Sequence, residues 1–306
     1  MSKGWLALSV GLAVFVAALA TALALHQRHQ REKAALCRAQ LEIVTRMPAH
    51  AGWEPSEKQG YGKWFLRVEQ TRTSPYHMRL TFVEPDMVGL SVPVTLKSGE
   101  KPKLFHTQEV ALGSGFSIKY QGSYAYLDAR RAASLNAARY SLLFPIVGST
   151  MIKQADGQVS GRITHTRDNG QYHAVDIGAD LGTPVRAAKA GMVVFTENRY
   201  ADLGCRDMLY ASVDNVVTVL HDDGTEAIYG HLRQGSVRVG ENERVEAEDI
   251  IAEVGNSGAS DGPHLHFQVG GLTEGGYVTL PLSFKCEPGA HEFYPTLGPV
   301  TCSSQH

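Results

Sequence analysis

One short stretch constrains this chain more than any other: Gly262-Pro263-His264-Leu265-His266-Phe267-Gln268-Val269. Apolar and polar residues alternate through it, the pattern of a strand with one core face. Leu265, Phe267 and Val269 point one way. His264, His266 and Gln268 point the other, because strand side chains alternate with period two. Two imidazoles then share a face, roughly 7 Å apart along the strand. Such a pair can divide the work, one ring binding a metal while the other handles a proton.

A catalytic metal site needs about three protein ligands and an open position. The upstream candidate carboxylate is Asp176. In Val175-Asp176-Ile177 it sits between two β-branched residues, an unusual choice for a strand, and faces away from their side. Tyr229-Gly230-His231-Leu232 places a further histidine at a strand end. That strand is predicted to belong to a hairpin: Val216 to His221, the turn Asp222-Asp223-Gly224, then Thr225 to Leu232. Asp-Gly is a strong hairpin signal.

These motifs, in this order and with Gly182-Thr183-Pro184-Val185 between them, resemble the lysostaphin/LytM-type zinc metallopeptidases, a family of peptidoglycan endopeptidases. The resemblance covers about residues 144 to 285 and includes the turn-rich lead-in Val254-Gly255-Asn256-Ser257-Gly258. It implies a mostly β fold built on a LytM-type antiparallel sheet, with zinc as cofactor. It makes Asp176 and His266 metal ligands, and His231 and His264 the catalytic pair. His264 would exchange a proton with the water or the leaving amine, and His231 would hydrogen-bond the oxyanion. The implied substrate is the peptide cross-link of bacterial cell-wall peptidoglycan; the residues alone imply only metal-assisted hydrolysis. A non-catalytic wall-binding or hydrolase-activating LytM-like factor is the alternative.

The third ligand departs from the common pattern. The family usually writes His-x-x-x-Asp, and the matching position here is Tyr172. His173 lies three residues before Asp176, so on an extended strand it faces the opposite way. His165 lies farther back, separated from Asp176 by a turn at Asp168-Asn169-Gly170-Gln171. The stretch from His165 to Asp176 is similar to that of one branch of the family. The expected ligand set is therefore His165, Asp176 and His266, with His173 as the alternative to His165. The same branch commonly carries an insertion where residues 197–214 stand here, expected to wall the groove, and a β domain upstream.

With 306 residues the chain can hold two domains. The expected organisation is a membrane anchor or signal segment at 1–26 and a helical stalk at 27–46. A β-rich, sandwich-like accessory domain follows at 47–143, then the zinc peptidase domain at 144–285 and a disulfide-stapled tail at 286–306. Trp5 to Leu25 is apolar and long enough to span a bilayer. It reads as an uncleaved single-pass anchor, with a cleaved signal as the alternative. Arg28, Arg31, Lys33 and Arg38 after it would favour a cytoplasmic C-terminal part. The enzyme reading instead puts that part in the periplasm or outside, within the cell envelope.

An even count of four cysteines suits disulfides in an exported chain. Cys286 and Cys302 are expected to pair around a turn-rich tail, and Cys37 and Cys205 can make a second bridge. The formal charge is −2, and no basic patch with interleaved aromatics suggests nucleic acid. The expected partners are peptidoglycan peptides and, through the N-terminal segment, the membrane. No Ser-His-Asp or cysteine nucleophile arrangement stands out. His77, His106, His221 and His291 have no sequence partners and are expected to be structural or exposed.

Overall fold

The computed structural model describes residues 3–42, 49–55, 61–68, 76–83, 91–97, 103–105, 110–111, 117–159, 164–167, 169–206 and 213–303. Helix α1 (Lys3–Glu42) opens the chain. No proline interrupts it. Among the described residues no helix is long and apolar enough to cross a membrane. The side chains before Leu19, most of the expected span Trp5 to Leu25, lie outside the described residues.

Among the described residues seven strands follow: β1 (Ala49–Pro55), β2 (Tyr61–Val68), β3 (Tyr76–Val83), β4 (Ser91–Leu96), β5 (Lys103–Phe105), β6 (Val110–Ala111) and β7 (Ser117–Ser123). They make two small antiparallel sheets, one ordered β1-β2-β5 with β6 on β2, the other β4-β3-β7. Helix α2 (Ala129–Asn136) comes next, its first turn capped by the Asp128 carboxylate, which accepts from Arg131 N.

The later elements among the described residues are strands: β8 (Tyr140–Leu143), β9 (Gly148–Ala155), β10 (Gln158–Val159), β11 (Val175–Gly178), β12 (Pro184–Arg186), β13 (Gly191–Glu197) and β14 (Val216–His221). Then come β15 (Glu226–Gly230), β16 (Arg244–Val245), β17 (Ile250–Glu253), β18 (Leu265–Thr273), β19 (Gly276–Thr279), β20 (Leu282–Lys285) and β21 (Gly298–Cys302). The chain is mostly β, as expected. Ten of these strands form one sheet ordered β10-β9-β11-β18-β15-β14-β13-β16, with β19 on β18 and β21 on β9. Its pairings are antiparallel. The short β8–β20 pair beside it is parallel. The predicted hairpin is β14–β15, its turn closed by Gly224 at φ 81°. That left-handed conformation suits glycine.

One face of this sheet carries the core. Phe144, Ile152, Val175, Ile177, Val219, Tyr229, Leu265, Phe267 and Phe284 are fully buried. Burying each such side chain contributes roughly 1.5–3 kcal/mol. Tyr229 also accepts from Ala188 N at 2.8 Å, so its hydroxyl is satisfied inside the core. The alternation in β18 predicted one buried face; in fact both are covered, since His264, His266 and Gln268 are each at most 9% exposed. The polar face is roofed by the loops that build the site.

Two disulfides close the chain on itself, Cys37–Cys205 and Cys286–Cys302, as expected. The first fastens the end of α1 to the segment after β13. Gln40 adds to that joint by accepting from Ala201 N at 2.7 Å. At the other end of the sheet, residues 123–127 lie along β18: Leu127 N donates to Leu272 O and Leu272 N to Ala125 O. Tyr124 N donates to the buried Glu226 carboxylate at 2.9 Å. Burial pushes the Glu226 carboxyl up to about 7, against hydrogen bonds from Ser123, Tyr124, Tyr277 and Ala125 that favour its charge.

Candidate metal centre

Strand register brings the site together. β11 and β15 flank β18, so Asp176 and Gly230 lie opposite His266 on either side. Gly230 matters because it has no side chain: a Cβ there would come within 3.0 Å of Asp214 Oδ2 and 3.4 Å of His266 Cβ. The chain leaves β15 at His231 with φ 57°. This left-handed step is strained for a non-glycine residue. The His231 ring reaches 4.7 Å from that of His264 and 5.9 Å from that of His266, between centroids.

His165 arrives from a loop folded by its own side chains. Asn169 donates to Thr164 O at 2.7 Å and accepts from Thr166 N and Gln171 N. Gln171 N donates to Thr166 O at 3.1 Å. This returns the chain to β11, and His165 Nδ1 is fixed on Ala174 O at 3.1 Å. Its Nε2 then faces Asp176 Oδ1 at 3.2 Å. Asp168, part of the expected turn, lies outside the described residues.

Ligand-type atoms of His165, Asp176 and His266 all lie within 4.8 Å of one another. His266 points Nδ1 at Asp176 Oδ1 (3.1 Å) and Nε2 at Gln268 Oε1 (2.9 Å). Two imidazole nitrogens and a carboxylate oxygen are a donor set that suits zinc. His165 and His266 each also have their second nitrogen engaged, the arrangement that orients metal-bound histidines. Burial opposes ionisation of Asp176, but hydrogen bonds from His165 and His266 hold its carboxyl well below the usual range. The three residues thus fit a divalent metal. His173, the alternative, is turned elsewhere: its Nδ1 is 2.7 Å from Asp156 Oδ1.

His231 and His264 line the same cluster. Both spend Nδ1 on main-chain carbonyls, His231 on Ser257 O at 2.9 Å and His264 on Gly262 O at 2.8 Å. That leaves Nε2 for chemistry, and His264 Nε2 lies 3.7 Å from Asp176 Oδ1. Desolvation, helped by the neighbouring His231, lowers the His264 pKa to about 4. Desolvation also acts on His231, but Asp214 outweighs it and raises its pKa. Their surroundings thereby bias the two rings in opposite directions, His264 towards the neutral form and His231 towards the charged one.

Two residues at this site went unread in the sequence. Asp214 Oδ1 accepts from His231 N at 2.8 Å and from Ser257 Oγ at 2.9 Å, and lies 3.2 Å from His231 Nδ1. Ser257 Oγ also lies 3.0 Å from Leu232 O and accepts from Asn215 N at 3.0 Å. In the sequence Ser257 stands within the turn-rich lead-in, with nothing to single it out. The segment after β13 lies along that lead-in, with Gly204 N on Asn256 O and Cys205 N on Gly258 O. His221 is buried away from the cluster beside Tyr140 and Thr225.

Residues 170–278 match peptidase family M23. DD-carboxypeptidase/endopeptidase Mpg of Neisseria meningitidis serogroup B is 36% identical over 102 residues, covering 32% of this chain and 19% of that protein. Glycyl-glycine endopeptidase ALE-1 of Staphylococcus capitis is 35% identical over 102 residues, covering 33% of this chain and 25% of that protein. These matches span no more than a quarter of either relative's own length. Among solved structures, a catalytic-domain mutant of the prophage-encoded M23 protein EnpA from Enterococcus faecalis is 24% identical, covering 48% of this chain and 88% of that one, with a TM-score of 0.30. The sequence motifs and the family match thus coincide on one stretch, residues 170–278, which is similar to peptidase family M23.

Proposed function

We propose that this chain is a zinc-dependent endopeptidase that hydrolyses peptide cross-links of bacterial cell-wall peptidoglycan. One observation carries the reading: His165, Asp176 and His266 converge on one point, with His231 and His264 on the same face. The endopeptidases Mpg and ALE-1 among its relatives support the reaction class. When bound, zinc supplies Lewis acidity that polarises a carbonyl and lowers the pKa of a water.

The protein's own groups do the rest. His264, neutral and oriented by Gly262 O, accepts a proton through Nε2 and returns it to the leaving amine. His231, biased towards its charged form by Asp214, donates to the oxygen of the scissile carbonyl as negative charge builds there. The loops over the polar face of β18 keep these groups largely out of water, which strengthens each interaction.

The same reading puts the M23 domain in the cell envelope, periplasmic or external, held by the N-terminal segment or released after its cleavage. Incubating purified peptidoglycan with the zinc-loaded protein tests the activity. New free amino groups should appear, vanish with chelator and return with zinc. Wall binding without new amino groups would favour a non-catalytic LytM-like factor instead.

A further inference from the structure

The polar face of β18 does not stop at the metal cluster. His266 Nε2 lies 2.9 Å from Gln268 Oε1. Gln268 Nε2 donates to the Tyr277 hydroxyl at 3.1 Å. Tyr277 in turn hydrogen-bonds the Glu226 carboxylate, which also takes Tyr124 N at 2.9 Å. These residues come from adjacent strands: Glu226 pairs with Gly270, and Tyr277 with Leu272. His266, Gln268 and Glu226 are all buried.

The chain of bonds has a direction. Gln268 Nε2 donates to the Tyr277 hydroxyl, which keeps its own proton for the Glu226 carboxylate. Gln268 must then present its oxygen, not its nitrogen, to His266. An oxygen there requires a proton on His266 Nε2. The Nδ1 atom is left to face Asp176 and His165.

We propose that Gln268, Tyr277 and Glu226 are positioning residues that hold His266 with its proton on Nε2 and thereby set the metal affinity of the site. This deepens the zinc reading and rests on it. The outer end of the relay is Tyr124, in the segment that joins β7 to the large sheet. The relay thus connects a metal ligand to the place where the upstream sheets meet the M23 domain.

Zinc affinity, measured by competition with a chromophoric chelator on the full chain, tests the proposal without any assay of turnover. Gln268→Met keeps the volume and removes the acceptor, so zinc should bind roughly 10–100-fold more weakly. Gln268→Glu restores an acceptor for Nε2–H and should recover affinity close to wild type. Tyr277→Phe should shift affinity in the same direction as Gln268→Met, but less. Near-ultraviolet circular dichroism of the metal-free variants checks that packing is kept. In zinc-loaded wild type, long-range ¹H–¹⁵N spectra should find a slowly exchanging proton on His266 Nε2. A proton on Nδ1, or wild-type affinity in Gln268→Met, overturns the relay and leaves the peptidase reading standing. A wild-type chain that binds no zinc overturns both.

Discussion

His231 and His264 have identical side chains and different chemistry because their neighbours differ. Asp214 stands within hydrogen-bond reach of one, whereas the other has a carbonyl, a hydroxyl and the first ring beside it and the Asp176 carboxylate farther off, at 3.7 Å. His264→Ala should keep zinc and lose turnover by about 100-fold or more, the scale of a lost general base. His231→Ala should lose turnover through a missing oxyanion donor, again with zinc retained. Equal turnover in wild type and both variants would remove the assignment. Asp214→Asn keeps the shape and discards the charge; kcat should fall while KM and zinc content hold. A rise in KM alone would mean that Asp214 serves substrate binding instead. At this scale Asp176, His231, His264 and His266 were legible because each lies in a short motif on or beside a strand. His165 was harder to read, because the turn between it and Asp176 is held by Asn169 contacts that no spacing rule reveals. Asp214 was hidden, since it meets Ser257 across 43 residues and sits in no motif.

Among elements, the β14–β15 hairpin and β18 were readable from alternation and the Asp-Gly turn. The burial of both faces of β18 was not, because alternation reports polarity and cannot report what roofs the polar side. The sheet order was hidden too, as β21 and β9 meet only through long-range pairing. Disulfides govern two of the outlying segments. Cys286–Cys302 closes a loop with a separation of 16 residues, worth about 3 kcal/mol through chain entropy. Cys286→Ser should therefore lower the melting temperature by several degrees, at about 2–4 °C per kcal/mol for a domain of this size. Zinc binding should survive, because no candidate ligand lies in that loop. Non-reducing peptide mapping gives the check: free thiols at both positions would contradict the pairing.

For the molecule as a whole, His221 links stability to pH. Desolvation, with a contribution from Lys189, lowers its pKa to about 4 from an ordinary 6.5. The unfolded chain therefore takes up this proton before the folded one does. The stability tied to neutral His221 is complete above about pH 6.5 and is lost as the pH falls towards 4. A difference of that size corresponds to about 3 kcal/mol. His221→Gln cannot titrate, so its melting temperature should fall less than that of wild type between pH 7 and pH 4.5. Parallel curves for the two proteins would contradict this.

In the proposed function, three side chains from distant parts of the sequence hold one zinc ion, and this ion is needed for peptide hydrolysis. The most direct test is zinc content and peptidoglycan cleavage measured together for wild type, His165→Ala and His173→Ala. Wild type should hold about one zinc per chain and cleave, with both retained in His173→Ala and both lost in His165→Ala. Full zinc and cleavage in His165→Ala, with their loss in His173→Ala, would contradict it.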